Sequence, residues 1–544
     1  MRILKVLVLV LVLAWAGAAH AVQTYYFDQT NGSDSNAPCT NITLPCQTLA
    51  EAGNIAPNPG DTIALHDDRV WREQFTIHNG GAAGNPVIIT DYGNGVDKPL
   101  IEGSQNLTGW TLSSGSIWVI SQSTQVHRVY EADTADATRV VPGFGLIEAC
   151  AITGGTVLGE CQVANMQAGS FFMDNTNHFL YVWLPDSGNP NNHTMEGSTI
   201  QFGITAQYND SPACKMCYIT IQNIQIRFQS KAAIFMDSWE NPGCANNGGL
   251  LGITINNIVA SNTSTGIVDA GYDNQISIED DASWPGRSND IIENSKASWC
   301  GGHNCIQVHG VSDVSVINNE ASHGNHNLID GKEGVNMYFA NNYAHDMTNG
   351  GSCYYMESRN TRKNATATWA NNICYNSQNG FQCGGTVFST SLPTTCNAYN
   401  NTMYSPTRGL GQACFVSGGT NPSPASVTFN LYNNLCFNTD GGMSNTSSTN
   451  QTLNLHCTDY FPSPSAGWKW NGRFITALAA WQATGTNFDK DSFIGDPKFA
   501  TTTPTFTLGA GSAAMHAVPQ QCMVGFGYNI GAAQNGYQTG KRRR

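Results

Sequence analysis

Charge is scarce in this chain. Only 12% of its 544 residues are Asp, Glu, Lys or Arg, and 25 basic residues face 39 acidic ones, for a net charge of −14. That deficit of positive charge excludes nucleic acid and an anionic membrane surface as partners. Long stretches also lack the 3.6-residue apolar period of amphipathic helices, which excludes a helical bundle. Past the N-terminal segment, no apolar run approaches the roughly 20 residues that a membrane helix needs, so no membrane span is expected. Cys214 and Cys217 form a Cys-x-x-Cys, but no second such pair and no His pair at ligand spacing accompanies them. A loop disulfide is therefore the expectation there, ahead of a zinc or redox site.

What the chain does have is turn-forming residues and a repeat. Its 56 glycines come with abundant Asn, Ser and Thr, as expected where every coil needs corners. The stretch from His303 to Asn319 (HNCIQVHGVSDVSVINN) lies without a gap over that from His326 to Asn342 (HNLIDGKEGVNMYFANN), 23 residues on. A period of that size is the signature of a solenoid, in which each repeat buries its apolar face only against its neighbours. A column of asparagines runs Asn223, Asn257, Asn294, Asn319, Asn342, Asn372, Asn401, Asn434, each preceded by an apolar alternation. Short alternating segments such as Ile253-Thr-Ile-Asn and Val314-Ser-Val-Ile read as strands. The fold expected is all-β, a parallel β-helix. Asparagine suits its corners, because it tolerates the left-handed conformation and its amide can bond the same group one coil on.

Residues 1–21 read as an export signal: Arg2 and Lys5, then an apolar run from Val6 to Leu13, then Ala19-His20-Ala21 as a small-x-small cleavage site. A secreted protein, extracellular or periplasmic, is expected. Seventeen cysteines agree with an oxidising compartment. Close pairs able to staple loops are Cys39/Cys46, Cys150/Cys161, Cys214/Cys217 and Cys300/Cys305, and the odd total leaves at least one thiol over.

The segments Tyr25-Tyr-Phe-Asp, Gly32-Ser-Asp-Ser-Asn, Pro59-Gly-Asp-Thr-Ile, Trp71-Arg-Glu and Gly84-Asn-Pro-Val-Ile-Ile-Thr-Asp-Tyr-Gly resemble the opening of bacterial secreted right-handed parallel β-helix proteins of the pectate-lyase-like superfamily. Phe493-Ile-Gly-Asp-Pro-Lys-Phe and Asn529-Ile-Gly-Ala resemble their closing segment. The resemblance implies a right-handed solenoid with a cap at each end. The expected organisation is 22–107 as N-terminal cap and first coils, 108–202 as a β-rich insert, 203–461 as β-helix repeats, and 462–544 as C-terminal cap and tail. One helix-like stretch, Thr48 to Ile55, falls in the first cap.

Alternate side chains of a strand face opposite sides. With Ile306, Val308, Ile329, Gly331, Tyr354 and Met356 inward, two outward columns result: Gln307–Asp330–Tyr355 and His309–Lys332–Glu357. Rungs about 4.8 Å apart and strand neighbours about 6.6 Å apart place these groups within a patch one sugar ring across. Arg359, Arg362 and Lys363 follow on the same coil. An extracellular polysaccharide is the expected partner and a monomer the expected state. Lys332, Arg359, Asp330 and Glu357 are the candidate catalytic groups. His309, Tyr355, Gln307, His326 and Arg362 are the candidate substrate contacts.

Two chemistries suit the patch. Lys332-Glu-Gly-Val-Asn336-Met-Tyr-Phe-Ala-Asn resembles the catalytic segment of the chondroitinase B/alginate lyase family, in which a lysine abstracts the C5 proton of a uronate and an arginine on the next coil neutralises the carboxylate. By that resemblance Lys332 is the base and Arg359 the neutraliser, and β-elimination is the favoured reaction. Calcium is the cofactor the family would bring, but its acidic ligands are not evident in Asn325-His-Asn-Leu-Ile. The alternative is glycoside hydrolysis by Asp330 and Glu357, which sit diagonally on adjacent rungs. Asp280-Asp281 with His303 also resembles part of the polygalacturonase pattern. A third reading, a non-catalytic glycan-binding or adhesin solenoid, would need no reactive cluster. As an outward side chain, Lys332 is expected to carry little packing, so Lys332→Ala should spare stability.

Overall fold

The computed structural model describes residues 21–132, 144–145, 147–148, 152–153, 156–157, 162–206, 217–237, 251–262, 276–279, 289–301, 304–347, 350–357, 364–384, 393–405, 413–418, 426–445, 450–501 and 506–514. Residues 1–20 of the expected export signal lie outside these residues.

Each coil contributes one strand to each of three long sheets. Ser315–Ile317, Glu320–Ser322 and Asn327–Lys332 make one coil, and Met337–Ala340, Tyr343–His345 and Ser352–Glu357 the next. Such strands, stacked in parallel, build sheet I with 12 strands, sheet II with 11 and sheet III with 12, the last of sheet III (Arg473–Ile475) alone turning back antiparallel. The result is a right-handed parallel β-helix, the hand that parallel crossovers favour. Coils begin ahead of the insert, with Thr62–His66, Val70–Trp71 and Phe75–Thr76.

Period-two alternation builds the core. The middle residue of each sheet II strand points inward, giving the buried column Ile226, Ala260, Ala297, Ala321, Ala344, Cys374, Met403, Cys436, Tyr460. Small residues in its middle leave room for larger groups from the facing sheets, and the run widens again towards Tyr460.

The corner between sheets I and II rests on asparagine, and here the structure corrects the sequence reading. The single column is two columns one residue apart. Asn223, Asn257, Asn294, Asn318, Asn341, Asn371, Asn400 and Asn433 take positive φ at the bend, where asparagine is tolerated as most residues are not. The residues after them form a buried ladder from Asn319 through Asn342, Asn372 and Asn401 to Asn434. Asn342 Nδ2 donates to Asn372 Oδ1 at 3.0 Å and its backbone N–H to the same oxygen at 3.0 Å, and each neighbouring pair repeats this bonding. Asn223, Asn257 and Asn294 belong to the bend, because their coils carry Ile or Ser at the next position.

The N-terminal cap holds the helix Leu49–Asn54, whose N-cap Thr48 accepts the Glu51 N–H. Between Ser104–Leu107 and Met195–Ser198 the chain leaves the coils to form a four-stranded and a five-stranded sheet. These have their own core of Leu107, Trp110, Val129, Phe171, Leu180 and Val182. At the far end the helix Leu478–Gln482 seats Trp481, and buried Asp489 accepts from Trp481 Nε1 and the Tyr460 hydroxyl.

Disulfides join Cys39 to Cys46 and Cys300 to Cys305, as the spacing suggested. Three more were not foreseen: Cys353–Cys374, Cys383–Cys396 and Cys414–Cys436. The first and last each tie a sheet III strand to the following sheet II strand inside the core, a pairing across 21 or 22 residues that spacing alone does not single out. Cys217 is also disulfide-bonded, while Cys150, Cys161 and Cys214 lie outside the described residues. Cys457 is disulfide-bonded as well, and bridges in this number fit an oxidising compartment. Among the described residues no helix is long and apolar enough to cross a membrane.

Candidate active site

Three consecutive sheet III strands carry the polar ladder: Asn304–His309, Asn327–Lys332 and Ser352–Glu357. Their register pairs Gln307 with Asp330 and Asp330 with Tyr355, then His309 with Lys332 and Lys332 with Glu357. The two expected columns are therefore in place, and Ile306, Ile329, Tyr354 and Met356 are in the core between the sheets. Gly331 fits because its inner side is crowded. A Cβ there would meet Phe339 at 2.9 Å and the sulfurs of Met337 and Met356 at 3.0 Å.

The ladder's environment differs from the expectation of a solvated face. Asp330 and Glu357 are 0% exposed, Lys332 2%, Gln307 4% and Tyr355 6%. A cation placed there must be compensated, and it is. Lys332 Nζ lies 3.0 Å from Asp330 Oδ2 and donates to Gln307 Oε1 at 3.1 Å. The same two oxygens also accept from Asn304 Nδ2, at 2.7 and 2.6 Å. One rung on, the Tyr355 hydroxyl donates to Glu357 Oε2 at 2.7 Å. The expectation that Lys332 carries little packing is thus corrected: it is among the largest fully buried side chains of the protein.

Asn304, Asn327 and Glu333 belong to the site, and sequence reasoning passed over them. Strict alternation would turn Asn304 and Asn327 inward with Ile306 and Ile329. Instead two successive residues enter the core on each strand, Cys305-Ile306, Leu328-Ile329 and Cys353-Tyr354. That break in the pleat turns the preceding residue outward. The repeated His-Asn dipeptide was the signal. His326 lies at the margin, exposed, with Nδ1 at 3.2 Å from Asn304 Oδ1 and 2.9 Å from Asn327 Nδ2. At the opposite end buried Glu333 has φ +55°, and its Oε2 is 3.3 Å from His309 Nε2. Arg359, Arg362, Lys363, His303, Asp280 and Asp281 lie outside the described residues. Among the described residues no cluster of three or more His, Cys, Asp or Glu could hold a metal ion.

Chemically, the ladder offers two carboxylates on adjacent rungs, displaced by two residues along the strand. Among the described contacts, Lys332 Nζ and Asn304 Nδ2 meet Asp330, and the Tyr355 hydroxyl meets Glu357. Such a division suits paired carboxylates that do different jobs.

No family model and no curated protein matches the sequence. Solved structures do match. The complex of XylC with xylose is 13% identical with a TM-score of 0.54, over 89% of this chain and 88% of that one. Pectate lyase Pel9A is 12% identical at TM-score 0.45, over 95% and 97%. A structure titled glycoside hydrolase is 10% identical at 0.45, over 83% and 95%. At these identities the likeness establishes the fold, which hosts several chemistries.

Proposed function

We propose that this protein is a secreted glycoside hydrolase acting on an extracellular glycan, with Asp330 and Glu357 as the working pair. The observation that supports this most is the occupancy of Asp330 Oδ2, which takes both Lys332 Nζ at 3.0 Å and Asn304 Nδ2 at 2.7 Å. Two donors on one oxygen orient the carboxylate and leave it acceptor in character. Asp330 would then attack the anomeric carbon or activate a water, while Glu357, steered by the Tyr355 hydroxyl, protonates the departing oxygen. Water enters and a reducing end results. By strand spacing the two Cα atoms are about 8 Å apart. That leaves room for carboxyls near 5.5 Å, the retaining separation, or 6.5–9.5 Å, the inverting one.

The same contacts weigh against elimination with Lys332 as base. Proton abstraction needs a nitrogen that reaches the sugar, whereas Lys332 Nζ is buried between Asp330 Oδ2 at 3.0 Å and Gln307 Oε1 at 3.1 Å. The decisive assay reads reducing ends and ultraviolet absorbance together on neutral and uronate-rich glycans. Hydrolysis gives reducing ends alone. New absorbance from a C4–C5 double bond would restore the lyase reading, with Arg359 as neutraliser. Asp330→Asn and Glu357→Gln should each lower kcat by at least about 100-fold. Azide should rescue one of them on an activated aryl glycoside if the route is retaining.

A further inference from the structure

The outward face of sheet II is covered towards both ends and open between them. At one end the β-rich insert lies against it: the Tyr130 hydroxyl donates to the Asn262 carbonyl at 2.7 Å, and the ring packs on Phe228 at 4.3 Å. Phe228 and Asn262 are buried. One coil on, Arg128 of the insert comes so near Gly301 that a Cβ there would meet its Nη1 at 2.5 Å. At the other end the C-terminal segment lies over the sheet. Phe506 is 5.8 Å from Tyr375 and 5.4 Å from Tyr404, and Phe499 is 5.1 Å from Phe437, ring centre to ring centre. Thr402, Leu435 and Asp459, which stand in one outward row there, are buried. Between these covers run Lys296–Ser298, Glu320–Ser322 and Tyr343–His345. Here Lys296 is 62% exposed, Glu320 38% and the adjoining Asp346 34%. The strands that follow on these three coils carry the sheet III ladder, so the opening lies one corner away from it.

Aromatic rings and charges fill that opening. Trp299 stacks on His323 with ring centres 4.0 Å and planes 18° apart, and Tyr343 stacks on His345 at 4.2 Å and 19°. The two pairs meet edge to face, His323 against His345 at 6.2 Å and 77°. Each of the four rings is partly exposed, so ring surfaces are offered on two nearly perpendicular planes. Carboxylates border them. Glu320 is paired with Lys296 at 2.8 Å and lies 3.5 Å from His345 Nε2, while Asp346 Oδ2 is 2.8 Å from His345 Nδ1. His345 and Lys296 hold the Glu320 carboxyl down to about 2, which keeps it an acceptor. The backbone adds a further sign. Trp299 and His323 have φ of +59° and +55°, at the bend where the flanking coils place Asn262 and Asn376. Large side chains are uncommon in that conformation, and such departures gather at ligand sites.

We propose that this opening is a second carbohydrate site, which holds a glycan chain on the coils that bear the ladder. Sugar rings combine apolar C–H faces with hydroxyl edges. The faces suit the exposed aromatic surfaces, and the hydroxyls find acceptors in Glu320 and Asp346 and a donor in Lys296. From Lys296 to Tyr343 is two rungs, about 9.6 Å, room for a disaccharide. The site binds and does not cleave, so it stands apart from the bond-breaking route at the ladder.

The test reads binding alone. The full chain is run through native gels holding xylan, galactan, β-glucan, pectate or alginate, beside an empty gel, as wild type, Trp299→Asn and Glu320→Gln. At least one polysaccharide should retard the wild type. The Kd taken from that retardation should rise on the order of 10-fold in Trp299→Asn, and several-fold in Glu320→Gln. In denaturant Trp299→Asn should unfold no earlier than wild type, because asparagine is native to that bend on the flanking coils. If it does unfold earlier, the ring serves packing, and unchanged retardation of Glu320→Gln then overturns the site. No retardation in any gel, or equal retardation of all three proteins, overturns it as well and leaves the hydrolase reading standing. Retardation without release of reducing ends overturns the hydrolase reading and leaves this site in place.

Discussion

Replacing Lys332 by methionine tests the buried ladder most directly. Methionine keeps much of the side-chain volume, so the loss is mainly electrostatic. Lys332 Nζ is 3.0 Å from Asp330 Oδ2 and 3.1 Å from Gln307 Oε1, with Asp330 fully buried. Removing one member of a buried pair leaves the other as an uncompensated charge, which typically costs 3–5 kcal/mol. The hydrogen bond to Gln307 adds about 1 kcal/mol. The single variant should therefore lose roughly 4–6 kcal/mol, against at most about 1 kcal/mol for Lys296→Met, whose ion pair with Glu320 is exposed. Neutralising the partner as well, in Lys332→Met/Asp330→Asn, should recover most of the loss, because no isolated charge then remains. Denaturant unfolding of the four proteins, with equal m-values as the check, gives the comparison. If Lys332→Met unfolds like the wild type, the ladder is solvated and the argument from burial fails. If the double variant is no better than the single one, the lost stability is packing and not charge.

Other outcomes follow from the same geometry. Burial pushes the Asp459 carboxyl up to about 8, offset in part by the Gly495 N–H, and its Oδ2 has no hydrogen-bond partner. The folded state then holds a proton that the unfolded chain releases near pH 4, so this contribution is complete below pH 4 and is lost as pH rises through about 8. The stability of wild type relative to Asp459→Asn should fall across that window, and parallel curves would contradict it. Asn372→Leu removes the acceptor of the Asn342 backbone and side-chain N–H groups in a buried place. It should cost about 2–5 kcal/mol by thermal or denaturant unfolding, while Asn487→Leu, on an exposed rung, should stay within about 0.5 kcal/mol. His326→Ala should raise KM for an oligosaccharide several-fold more than it lowers kcat.

The fold could be read from the sequence because a solenoid repeats its own rules. The gapless pair of 23-residue repeats fixed the register, and Gln307, Asp330 and Tyr355 stand in one row as alternation required. Burial of that row could not be read, since alternation says which side a residue faces and not what lies over that side. Asn304 and Asn327 were missed for a local reason: two consecutive core residues break the pleat just after them. Glu333 was missed because a positive φ at glutamate has no sequence signal. The asparagine column was placed one residue out for three coils, because the bend and the ladder use the same residue type. The disulfides inside the core link strands of different sheets, and their partners follow from three-dimensional stacking alone.

The buried asparagine row also has a polarity. From Asn342 to Asn401 the Oδ1 atom faces the preceding coil, where it accepts twice, and Nδ2 donates to the following asparagine and to a carbonyl further back. The amide dipoles are thus aligned head to tail along the long axis, and each polarises the next. One amide cannot rotate without setting oxygen against oxygen on one side and N–H against N–H on the other. A coil can dock only in one sense and one register, so the row acts as a ratchet on assembly. Sequence drift at the outer bends leaves that ratchet untouched, and a single reversed amide within it would stall the stack.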